Sequence, residues 1–168
     1  MVKSVNPNSG VKGMDIVLAN LNKEIAKIKG KSMAGMIESA ILIRRDMEKT
    51  PPKIPLRTGN LRASWFTVTS KSRPEGRALA GFKGEGRGEM EKEHMAAAAS
   101  GKQSLGRQFG VIMGFSANYA VFVHEMVDRG GGINWKRAGS GPKFLEAAMR
   151  RNAKKILGII RRNATIKP

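Results

Sequence analysis

The chain has 168 residues, no cysteine, and 31 Lys and Arg against 13 Asp and Glu, a formal charge of +18. That length suits one domain with its own core, and the missing cysteines exclude disulfides, thiolate nucleophiles and Cys-ligated zinc. No run approaches the roughly 18 apolar residues of a membrane span, and Met1–Pro7 lacks the apolar centre of a secretion signal, so a soluble protein made in the cytoplasm is expected.

Residues 1–12 are polar, with Asn, Pro, Ser and Gly, and read as a flexible arm; 13–168 read as a single α+β domain. Met14, Val17, Leu21, Ile25 and Ile28 recur at steps of three or four, the helical period. Gly30 either ends this helix, with Ser32 capping the next, or kinks one long helix. Met33, Met36, Ala40, Ile43 and Met47 continue as a stripe, and Thr50-Pro51-Pro52 stops it. The methionines are expected as adaptable core filler.

The next stretch is Pro55-Leu56-Arg57-Thr58-Gly59-Asn60-Leu61-Arg62-Ala63-Ser64. Pro55 cannot continue a helix, Thr58 can cap a turn, and Gly59 permits positive φ. Together they predict a sharp corner into Trp65-Phe66-Thr67-Val68-Thr69, a strand composition with Trp65 in the core. Residues 76–83 suggest a second strand. The Gly- and Ala-rich segment at about 84–106 is expected to be a mobile loop with one or two helical turns. His94, beside Glu91 and Glu93, reads most simply as exposed. Residues 107–115 alternate Phe109, Val111, Met113 and Phe115 with Gln108, Gly110, Ile112 and Gly114, the signature of a half-buried strand. Asn118 can cap a short helix over 119–125, with a strand as the alternative. Residues 127–141 form a Gly-rich basic loop containing Trp135, and a last helix is predicted from about Lys143 to Asn163.

Charge is uneven: residues 1–50 hold nine basic and five acidic groups, 51–100 the same, and 101–168 thirteen and three. The last segment thus holds +10 of the +18, with six of its thirteen cations in one stripe on the last helix. At 100° per residue, Arg150, Arg151, Lys154, Lys155, Arg161 and Arg162 share about 140° of arc, while Leu145, Met149, Ala153, Ile156, Leu157, Ile159 and Ile160 occupy another. An apolar face on the body and a positive stripe outside are expected. A field of this sign attracts polyanions. The six stripe cations, with Arg129, Lys136 and Arg137 in the preceding loop, are the candidate contacts to DNA or an acidic partner, and Trp135 is a candidate interface anchor. In isolation residues 143–163 would also suit a membrane surface, provided the apolar arc stays exposed.

Catalytic patterns are incomplete. His124-Glu125 opens like a zinc helix, but position 128 is Asp128 where a second His belongs. Gly101-Lys102-Gln103-Ser104 lacks the earlier glycine of a phosphate loop, since position 96 is Ala96. Gly84, Gly86 and Gly88 lack dinucleotide spacing, and no nucleophile-turn signal accompanies any Ser. No enzyme, metal or cofactor is expected.

Three blocks carry a family resemblance. Pro55–Ser64 after a long helix resembles the corner of tail-completion or neck proteins of tailed bacteriophages, also described as minor tail or head–tail joining proteins. Asn118-Tyr119-Ala120-Val121-Phe122-Val123-His124-Glu125 is similar to that family's Tyr-Ala-x-Tyr-Val-Glu block, with Phe122 at the second aromatic. Gly141-Pro142-Lys143-Phe144-Leu145-Glu146-Ala147-Ala148 resembles its Pro-Phe-Leu-x-x-Ala. The chain departs where Met126–Gly132 replaces the usual Phe-Gly-Thr, and in the family-atypical segment 84–105. The resemblance implies a non-catalytic virion protein at the head–tail junction. It would form a homo-oligomeric ring of six or twelve copies between connector and tail proteins, around the path of the genomic DNA. The competing expectation is a stand-alone basic nucleic-acid-binding protein, although no helix-turn-helix, zinc or aromatic RNA-binding signature accompanies the cations.

Overall fold

The structure is a computed structural model and describes residues 14–70, 81–126 and 134–165. The expected N-terminal arm, Arg129 and most of the expected strand at 76–83 lie outside these residues. Within them the fold is α+β. The elements run α1 (Met14–Lys49), α2 (Asn60–Ala63), β1 (Trp65–Thr69), α3 (Arg87–Leu105), β2 (Val111–Phe115), α4 (Ala120–Glu125) and α5 (Phe144–Ala164).

Helix α1 is continuous, which settles the Gly30 alternatives in favour of one helix. A glycine in a helix interior costs about 1 kcal/mol relative to alanine, too little to interrupt 36 residues. Helix α5 runs back antiparallel along the second half of α1. Arg151 near its start reaches Asp46, and Arg162 near its end reaches Glu38. The two backbones approach closely at Gly35, where an added Cβ would lie 2.9 Å from the Ile160 Cα.

Strands β1 and β2 pair antiparallel, with Trp65 opposite Phe115 and Thr69 opposite Val111. One sheet face meets the core formed by Ile43, Met47, Ile54, Leu61, Trp65, Ala120, Phe144 and Ala148. Rings chain through it edge to face: Trp65 to Phe115 at 5.2 Å, Phe115 to Phe144 at 5.5 Å, and Phe144 to His124 at 5.0 Å. The other face is covered by α3, so β2 is partly buried throughout, where only alternate residues were expected to be.

Helix α3 corrects the expected loop at 84–106. Ala96–Ala99 are strong helix formers, and three glycines before them do not prevent a helix that starts at Arg87. Its inner face carries His94, Ala98, Gly101 and Leu105, and an added Cβ at Gly101 would lie 3.3 Å from Val68. His94 is therefore buried, not exposed. Its Nδ1 lies 2.9 Å from the Ser116 hydroxyl, and its ring packs against Phe66 and Phe82. Residues 81–83, the described end of the expected second strand, are not in a strand.

Helix α4 starts at Ala120, and the Asn118 side chain does not cap it; Tyr119 is the boundary residue and caps with no side chain. No helix among the described residues is long and apolar enough to cross a membrane.

Candidate docking surfaces

The blocks at 55–64, 118–125 and 141–148 converge. Gly59 takes φ 94°, the left-handed conformation open to glycine, and turns the chain so that Leu61 and Trp65 enter the core. Thr58 accepts a hydrogen bond from the Asn60 amide at 3.3 Å. From the third block, Phe144 is fully buried against Phe115 and the second block's His124. Lys143, before α5, adopts φ 57°, which a side chain resists. It is held by its amide's 2.7 Å bond to the His124 carbonyl and by its ammonium on Glu125. Lys143 and His124 in turn hold the Glu125 carboxyl below its ordinary value.

Beside this junction lies an open groove of about 730 Å³ between the 55–61 corner, α4 and the 134–136 segment. Pro55, Leu56, Tyr119, Val123, Met126 and Trp135 line it, with Arg57 and Lys136 among them. Trp135 is half-buried there and Lys136 exposed. Burial pushes the Tyr119 hydroxyl up, so it stays protonated. Next to the groove, Val121 and Phe122 are among the most exposed apolar side chains of the described residues. The sequence signalled Trp135 and Lys136 as candidates. It gave no sign of Leu56, Val123 or Met126, because chain segments far apart in sequence build the groove.

The candidate cations divide. Arg137 is not free: it binds the Glu48 carboxylate at 2.9 Å and also the Glu48 carbonyl. Glu48 additionally holds Arg44 and Arg62, so one carboxylate ties α1, α2 and the 134–141 segment together. Burial alone would raise its carboxyl, but the bond from Arg137 and the charges of Arg44 and Arg62 outweigh that and keep it low.

On α5, Arg151 is bound to Asp46 and to the Pro51 carbonyl, Arg162 to Glu38, and Arg150 to Glu146 within the helix. Among the described residues Lys154, Lys155 and Arg161 form no ion pair, and all three are exposed. The helix also packs along a different line from the one expected. Its buried line runs through Phe144, Ala148 and Asn152, nearer the cations than the centre of the apolar arc. This brings Arg151 and Arg162 to the edge of α1 and leaves Met149 and Leu157 exposed. The apolar arc is thus only partly sealed, and the positive stripe is half the size expected.

Among the described residues, the longest run of exposed large apolar side chains is on α1. From Met14 to Ile28 its large side chains stand exposed, Leu21 at 54 %. Among the described residues no three of His, Cys, Asp and Glu gather as metal ligands. The His124 Nε2 atom is buried without a hydrogen-bond partner, while Nδ1 meets Glu125.

No family model, curated protein or solved structure matches the chain.

Proposed function

We propose that this protein is a structural subunit of the head–tail junction of a tailed bacteriophage, a neck or tail-completion protein that works by binding. In this reading copies close into a ring of six or twelve between connector and tail, around the DNA path, and act in the virion. Rings arise when a head-to-tail contact closes by rotation. The observation that carries the reading is the convergence of the three resembling blocks on one core, through Leu61, Ala120, Phe144 and Ala148. Residues shared with a family for reasons of fold are expected to meet in this way. Support also comes from the exposed apolar side chains of α1 and α4, since contiguous exposed apolar patches mark interaction sites. The test is to image phage particles carrying a label at the C-terminus. Density at the junction is expected; a particle lacking the protein altogether defeats the reading.

A second reading, a free nucleic-acid-binding protein, is favoured by one observation: Lys154, Lys155 and Arg161 stand exposed with no acidic partner among the described residues. It predicts DNA affinity that falls steeply with salt for the protein alone. A ring subunit would show weak free binding.

A further inference from the structure

We infer that the bare half of α1 is a dimerisation arm: it pairs antiparallel with the same segment of a second copy of this chain. This does not rest on the neck reading, since the argument uses only the arm's pattern, its charges and the charge of the body behind it.

Ile25 and Ile43 are 18 residues apart, five full turns, and so point the same way. Ile43 is 1 % exposed against the core, and Ile25 is 39 % exposed. One apolar line therefore runs the length of α1, and α5 covers only its second half. On the bare half the line is Met14, Leu18, Leu21, Ile25 and Ile28, closed by Ser32. The steps alternate four, three, four, three, four, the 3.5-residue repeat of a two-helix seam. That is a narrow strip, suited to one partner helix.

Charge and geometry select the partner and its direction. When two such arms run antiparallel with Met14 of each opposite Ser32 of the other, all the seam layers match. Asp15 and Lys29 then lie along the same edge of the seam, so each Asp15 meets Lys29 of the other copy, twice per pair. Glu24, near the two-fold axis, is already countered by Lys27 of its own chain at 2.5 Å. A parallel pair would also find a charge match, Glu24 with Lys29 of the other copy. It would, however, place two strongly basic bodies side by side, in chains of +18 each. The antiparallel pair sets the bodies at opposite ends of an arm about 27 Å long, well beyond the ~8 Å screening length at physiological salt. The seam offers on the order of 500 Å² per copy, the lower end for a specific contact, so a reversible dimer is expected.

The experiment uses the full chain in sedimentation equilibrium across a concentration series from micromolar to a few hundred micromolar. Mass should rise from 18.3 kDa toward twice that value. Leu21→Glu should remain monomeric throughout, with helicity and unfolding midpoint unchanged, because Leu21 is 54 % exposed. Asp15→Lys should weaken the dimer several-fold, and adding Lys29→Asp to it should restore the wild-type constant. The inference is overturned by a wild type that stays monomeric, by an assembly that survives Leu21→Glu, or by a charge swap that fails to restore. A monomer that instead floats with anionic phosphatidylserine vesicles, and loses that with Leu21→Glu, also overturns it by assigning the strip to lipid.

Discussion

The two halves of α1 carry one apolar line and have opposite fates. From Gly35 onward the line is sealed by α5; before it, the line is bare. Periodicity specifies which side of a helix is apolar. It says nothing about whether the same chain supplies the cover. The difference between the halves follows from length: α5 has 21 residues and α1 has 36, so about 15 positions of the longer helix have no counterpart.

The sharpest way to break this comparison is a matched pair of truncations. Ile43→Ala should cost about 2–5 kcal/mol, the usual range for emptying a buried aliphatic site. Ile25→Ala in dilute protein should stay within about 0.5 kcal/mol, as surface changes do. Urea melts of both variants would expose an error at once: a large loss at Ile25 means that something covers the arm.

A second pair uses glycines. Gly35→Val should destabilise by about 1–3 kcal/mol through overpacking against the Ile160 backbone. Gly30→Ala, where an added Cβ meets nothing within 4 Å, should stabilise by up to about 1 kcal/mol. Opposite signs five residues apart, read as thermal midpoints, would mark the edge of the sealed half.

The third test is pH. Glu48 lies in the sealed half, and its carboxyl is held below the ordinary 4.5. A carboxyl depressed in the folded state stabilises fully above its unfolded pKa, and that contribution is lost as pH falls through the folded value. Denaturation midpoints should therefore drop on acidification below about pH 4.5, and Glu48→Gln should flatten that part of the profile.

The smallest effect on stability is expected at the unpaired cations. Replacing Lys154, Lys155 and Arg161 together by Ala should move the unfolding free energy by less than about 0.5 kcal/mol per site. If the protein binds DNA through them, the salt slope should fall by up to about three. Arg151→Ala, which breaks the tie to Asp46, should instead cost stability.

The legible parts of the sequence were those governed by neighbours in the chain. The corner at 55–64 could be read because Pro55, Thr58 and Gly59 act locally, and Gly59 does take positive φ. The stripe on α5 could be read because helical angles follow from spacing. What was hidden lay in long-range pairing. Arg137, Arg151 and Arg162 find acidic partners 89, 105 and 124 residues away, which no local window reveals. Helix α3 was hidden for another reason: its inner face is His94, Ala98 and Gly101 before Leu105, small or polar residues that leave no large-apolar period. The groove combined both difficulties, with walls from three separate segments and only Trp135 conspicuous in the chain.

Asn60 has a consequence of its own. Its amide nitrogen donates to the Lys83 carbonyl at 3.0 Å, and its oxygen accepts from the Lys83 N–H at 2.9 Å. One side chain thus copies the two-way pairing of a peptide unit, and the polypeptide approaching α3 is latched as if a further strand were present. The Lys83 amide proton should accordingly exchange with solvent far more slowly than those of exposed Gly84 and Glu85. Asn60→Asp, which sets a carboxylate against a carbonyl, should release the latch and bring the exchange rates together.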